Sequence, residues 1–200
     1  MPPCGPALIP MKLPTLLIAL ALLAVAPLAA QRIYIAPTNA GGGALPAGAN
    51  FGGESTDSRY PGWAELENAA FSFESLGAGA AARVGRVTAG PFVIIKRLDG
   101  SSQFFLTNCL AGRTIPLLTV EYVKPVGGTG FTYQIITLKD VRVAAFKQNA
   151  PGGDKLPMEE MTLLYSSIEL TYLRPDAAGR PIRGRTYGWN FGSNTAIPSP

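Results

Sequence analysis

Phe92-Val93-Ile94-Ile95-Lys96-Arg97, the turn Leu98-Asp99-Gly100-Ser101, and Ser102-Gln103-Phe104-Phe105-Leu106-Thr107-Asn108-Cys109-Leu110-Ala111-Gly112 open the stretch that decides the fold. It closes, after Arg113-Thr114-Ile115-Pro116, with Leu117-Leu118-Thr119-Val120-Glu121-Tyr122. The middle piece is punctuated as a helix: Ser102 can accept a hydrogen bond from a first-turn amide, and Gly112 can take the left-handed conformation that ends a helix. Phe105, Leu106, Cys109 and Leu110 recur at i, i+1, i+4 and i+5 and predict one apolar face. A helix of about 10 residues is marginal alone and must lie on something apolar. The runs on either side are rich in Val, Ile and Leu and read as strands. The unit is one short helix packed on a chain of strands.

Toward the C-terminus, residues 124–130 read as a glycine-containing turn. Phe131-Thr132-Tyr133-Gln134-Ile135-Ile136-Thr137-Leu138 is then a strand, forming a hairpin with the run ending at Tyr122. Lys139-Asp140 marks a small corner before the strand 141–146, and 149–155 is a Pro-Gly-Gly loop. Residues 158–173 alternate over a long span, but the apolar residues change face, which predicts a bulge or bend near Ser166-Ser167. Residues 174–184 read as turn material, and the cluster Arg180, Arg183 and Arg185 as a solvated turn. Thr186-Tyr187-Gly188-Trp189-Asn190-Phe191 is a last strand, and 197–200 are expected to fray.

Toward the N-terminus, residues 64–73 alternate loosely and read as strand, with helix left open. Residues 84–87 can lead into the central strand, interrupted by Gly90-Pro91, and 76–83 form a Gly/Ala loop. Phe51-Gly52-Gly53-Glu54-Ser55-Thr56-Asp57-Ser58-Arg59-Tyr60-Pro61-Gly62-Trp63 has a polar centre that excludes a strand interior and an aromatic at each end. Residues 37–50 are a Gly/Ala/Pro loop, and Arg32-Ile33-Tyr34-Ile35 begins the fold. Met11-Lys12, the apolar run 13–28 and Ala29-Ala30 have the plan of a secretory signal peptide with cleavage after Ala30. Residues 1–30 are thus read as a signal segment, with Met1 or Met11 as the start, and 31–200 as a single domain.

Composition narrows the chemistry. The 200 residues include 23 glycines and 18 prolines but only 15% charged residues, a balance that suits short strands joined by turns. The net charge of +4 is spread thinly, with no basic block, so nucleic acid is not an expected partner. There is no histidine, which removes His-dependent nucleophilic catalysis, His-ligated zinc and the usual general base. No catalytic, cofactor or metal residues are expected. Cys109, on the apolar face of the helix, reads as a buried structural thiol.

Four features occur in order: Gly53-Glu54-Ser55-Thr56-Asp57-Ser58 followed by Gly62-Trp63; the helix ending Cys109-Leu110-Ala111-Gly112 with Arg113-Thr114-Ile115-Pro116; Tyr133-Gln134-Ile135-Ile136-Thr137-Leu138-Lys139-Asp140-Val141; and Tyr187-Gly188-Trp189-Asn190. Together they resemble the hemolysin-coregulated protein (Hcp) family, the tube subunit of type VI secretion systems. The resemblance implies a mainly β fold, a compact two-sheet β-barrel with one short helix on its side. It also implies six-membered rings that stack into a tube, with sheath or spike components and effector proteins as partners. The loop residues Glu54, Ser55, Thr56, Asp57, Ser58, Arg59 and Trp63 then form the ring-stacking surface, with Trp63 as anchor. A signal segment departs from the family pattern. Used, it makes the protein secreted or periplasmic, with no membrane span after its removal; unused, it leaves a tube protein that is cytoplasmic before firing. Residues 37–50 lengthen the loop after the first strand, a second departure.

Two other classes compete. An exported monomeric β-sandwich could bind a ligand such as glycan through Trp63 and Trp189. A hydrolase could use Glu54 and Asp57 as a carboxylate pair, although nothing in the sequence supplies the raised pKa of a general acid.

Overall fold

The computed structural model describes residues 30–39, 51–75, 85–126, 129–177 and 180–198, without the side chains of 125–129. Residues 1–29 of the expected signal segment 1–30, residues 40–50 of the expected loop 37–50 and the whole of the expected loop 76–83 lie outside the described residues. Twelve strands and one helix are described: β1 Arg32–Pro37, β2 Ala64–Leu66, β3 Asn68–Ala70, β4 Phe73–Ser75, β5 Val87–Ala89, β6 Phe92–Arg97, α1 Ser102–Ala111, β7 Thr114–Val126, β8 Thr129–Asn149, β9 Met158–Leu164, β10 Ser167–Pro175, β11 Pro181–Asn190 and β12 Thr195–Ile197. The fold is mainly β with a side helix, as expected.

The long strand β8 organises the layers. It pairs β7 along its first two thirds, β10 through residues 134–139 and β9 through residues 142–149. The partner changes at Asp140, whose φ of 52° is left-handed and whose carboxylate accepts the Ser166 hydroxyl at 2.6 Å. Aspartate tolerates that conformation better than a branched residue would. The corner read at Lys139-Asp140 is therefore a bend inside one continuous strand. From β9 the pairing runs to β6 and β3, and from β7 to β1 and β2. Only Glu67 separates β2 from β3, so this covalent step joins the two ends of the path. The two expected layers are limbs of a single ten-stranded sheet; β4 and β5 make a separate ribbon. Residues 64–73 thus hold two short strands and the first residue of a third, not one strand, and β5 pairs β4 instead of extending the central strand. Tyr34, Ile35, Phe92, Ile94, Phe105, Leu118, Ile136, Leu138, Met161 and Leu163 fill the interior.

The break between β9 and β10 at Tyr165-Ser166 lets Leu163 and Ile168 both point inward despite opposite parity, as the alternation required. Residues 181–185 are exposed strand, not turn, and β12 extends the order to Ile197, where fraying was expected.

The helix ends as read: Gly112 is left-handed with φ 60° and its N–H bonds back to the last turn. Its apolar face is narrower. Phe105 is fully buried and Phe104 and Cys109 pack on the core, whereas Leu106 is 39% and Leu110 80% exposed. The Ser102 hydroxyl does not cap the first turn. It accepts from the Asp99 N–H at 3.1 Å and donates to Glu159 at 2.7 Å.

That hydroxyl belongs to a buried polar node that the strand reading of Lys96 did not anticipate. The Lys96 ammonium is fully buried and meets Glu159 Oε2 at 2.9 Å, Asp99 Oδ1 at 2.7 Å, Ser102 Oγ at 3.0 Å and the Arg97 carbonyl at 2.8 Å. A buried charge is tolerable only when paired and hydrogen-bonded, and this one ties β6, β9 and the start of α1 together.

Candidate assembly surface

The loop 51–63 is held from within at both ends. Phe51 and Trp63 are buried, and Phe51 packs edge-on against Phe104 and Phe105 of the helix. Ser55 N–H bonds to the Trp63 carbonyl at 2.9 Å, closing the loop on itself. Gly53 allows this, because a Cβ there would collide with the Trp63 backbone; Gly100 has the same role against the Gly52 carbonyl. Glu54 is exposed but fixed, its carboxylate accepting the Gly100 N–H at 3.0 Å.

Tyr60 is the third anchor, and sequence reasoning gave it no role. It is buried, stacks on Tyr34 at 4.1 Å with 11° between planes, and lies edge-on to Trp63. Its hydroxyl donates to Glu121 at 2.7 Å and meets Thr132 at 2.7 Å, so the phenol is pushed well above its usual range by burial. The sequence signal was available: an aromatic three residues before Trp63 in a loop otherwise polar.

Asp57 and Arg59 turn back onto the barrel. Arg59 donates to Asp57 through its backbone N–H and Nε, both at 3.0 Å, and through Nη2 at 2.6 Å, and reaches the Gly130 carbonyl. The Tyr34 hydroxyl donates at 3.2 Å to Asp57 Oδ2, the oxygen that Arg59 Nη2 also meets. The Arg59 hydrogen bonds hold the Asp57 carboxyl well below its ordinary value of 3.8. The sign follows: a depressed folded pKa contributes stability above the ordinary carboxylate value, lost as pH falls toward the folded one. The stability gap between the native chain and Asp57→Asn should therefore shrink steadily below about pH 4. Parallel thermal melts from pH 7 downward measure it, and a gap independent of pH would contradict the pairing.

Of the expected stacking residues, Glu54, Thr56, Ser58 and Arg59 are exposed, Ser55 and Asp57 half-buried and Trp63 buried. The outward set is thus narrower than the motif: one carboxylate, one guanidinium and two hydroxyls. The competing readings fare poorly. Trp63 is buried and offers no sugar-stacking face; Trp189 is half-buried. A depressed Asp57 is the opposite of a general acid, and Glu54 is committed to a backbone amide. Among the described residues no cluster of three or more metal-ligating side chains occurs, and no helix is long and apolar enough to cross a membrane.

A single bent, open β-sheet carrying one side helix and an internally tied loop defines a mainly β class of protein. A family model described as "Type VI secretion system effector, Hcp" matches residues 41–172. The chain belongs to that family, a structural family of the type VI secretion system. Protein hcp1 of Pseudomonas aeruginosa is 30% identical over 100 residues, which is 50% of this chain and 62% of that protein. A solved structure described as a type six secretion system protein superposes with a TM-score of 0.71 at 21% identity, over 84% of this chain and 100% of the other. Hcp1 from Salmonella typhimurium gives a TM-score of 0.63 at 20% identity, over 84% of this chain and 100% of that chain. These two likenesses speak for the fold.

Proposed function

We propose that this chain assembles into six-membered rings that stack head to tail as tube units of a type VI secretion system, carrying or chaperoning effectors. The observation that carries the reading is the loop 51–63: its buried anchors Phe51, Tyr60 and Trp63 hold Glu54, Thr56, Ser58 and Arg59 outward in one fixed shape. Pre-ordering of this kind lowers the entropy lost on association. A copy that offers its loop to a different surface of the next makes a heterologous contact, the kind that builds stacks and rings. The basic residue, apolar run and small residues of 11–30 support export, and rings formed after such export act outside the inner membrane. Neither a catalytic role nor a bound cofactor is part of this reading. Negative-stain images of the purified chain test it: six-fold rings with a central hole support it, and featureless single particles at high concentration refute it.

A further inference from the structure

We infer that Gln31, the first residue once the leader is cut after Ala30, closes on its own α-amine to form a pyroglutamate lactam. This rests on the export reading above and adds a covalent modification to it.

The fold begins directly after that cut. Arg32 is the first paired residue, opposite Val123, and β1 then runs between β2 and β7 with Tyr34 and Ile35 fully buried. Ala30 and Gln31 precede the strand and are exposed. Ring closure at Gln31 therefore takes no rung from the sheet.

The surroundings of the chain start leave a new α-ammonium without a partner of its own. The hollow there is lined by Arg32, Asp57, Arg59, Glu65 and Glu67. Each of its carboxylates already holds a guanidinium: Asp57 that of Arg59 at 2.6 Å, Glu65 that of Arg32 at 3.7 Å and Glu67 that of Arg97 at 2.6 Å. The Gln31 carboxamide bonds to the Tyr133 hydroxyl, and the Lys124 ammonium lies 4.5 Å over the Tyr133 ring. Arg32 and Lys124 are thus cations beside the chain start, and like charge favours the neutral, nucleophilic amine. An α-amine ordinarily titrates at about 8, so a neutral fraction is present at physiological pH.

The step balances without a co-reactant. The α-nitrogen lone pair attacks Cδ, the N–Cδ bond forms and the Cδ–Nε2 bond breaks. Nε2 takes the proton that the α-amine loses and leaves as ammonia, giving up its bond to Tyr133; nothing is oxidised or reduced. The lactam has no α-amine for an aminopeptidase to hold, so the exported chain cannot be trimmed into β1.

The test expresses the full chain with its own leader in an exporting bacterial host. The start of the exported protein is read by intact mass and by stepwise N-terminal degradation. The expected chain covers 31–200, is lighter than that sequence by the mass of one ammonia, and resists degradation until a pyroglutamate aminopeptidase opens it. Gln31→Asn, whose shorter side chain would need a strained smaller ring, should begin at the same position with full mass and a free amine. A chain 31–200 that keeps a free Gln31 amine after prolonged, mildly alkaline incubation overturns the lactam and leaves export standing. An exported chain cut at any other position does the same. A chain that retains the whole leader overturns both.

Discussion

Replacing Lys96 by methionine should destabilise the fold by about 3–5 kcal/mol, because it leaves the fully buried Glu159 carboxylate without its cation. For a chain of this size that loss lowers the thermal midpoint by on the order of 10 °C. Removing one partner is costlier than removing both, since the orphaned charge keeps its desolvation penalty. The double variant Lys96→Met/Glu159→Leu should therefore regain part of the loss. Calorimetry of the two variants beside the native chain measures both effects. A single variant within about 1 kcal/mol of the native chain would mean that the node does not hold α1 to β6 and β9, since that is the range of a solvated surface pair.

Trp63→Ala should cost about 3–5 kcal/mol in the same measurement, the range for emptying a well-packed aromatic site. Trp63 is buried against Tyr60, which in turn stacks on Tyr34, so the cavity would open beneath the whole turn of the loop. Asp57→Ala should cost less, about 1–2 kcal/mol, because it removes only charge-assisted hydrogen bonds at the loop's edge. Stacking should follow the same order, with Trp63→Ala losing more than Asp57→Ala. Equal loss in the two variants would remove the anchor role assigned to Trp63.

Much of the frame could be read from local patterns. The helix end at Gly112, the pairing of the run through Tyr122 with the strand after it and the break near Ser166-Ser167 rest on turn chemistry and on alternation that changes face, and these depend on neighbours in sequence. The turn expected over 124–130 is narrower, because β7 runs on to Val126 and β8 begins at Thr129. Other features depend on residues far apart in the chain. Leu106 and Leu110 have the spacing of a buried face, but α1 lies on the barrel through Phe104, Phe105 and Cys109, so tertiary packing overrode the local period. Lys96 looks like the polar end of a strand until Glu159, far along the chain, closes on it. Residues 181–185 carry the glycine and proline of a turn and yet extend a strand, because β10 supplies the pairing.

The loop 51–63 was legible as a motif but not as geometry. Its aromatic ends announced burial. The sequence could not reveal that Asp57 and Arg59 would satisfy each other and the Gly130 carbonyl instead of facing outward, nor that Tyr60 would be the third anchor. The outward set that remains, with Glu54 fixed on Gly100, is what a neighbouring copy would meet.

The most direct test of ring assembly is the molar mass of the purified chain by light scattering across a concentration series. The account predicts a plateau at six copies, with larger stacks appearing as concentration rises. A mass that stays at one copy throughout that series would contradict it.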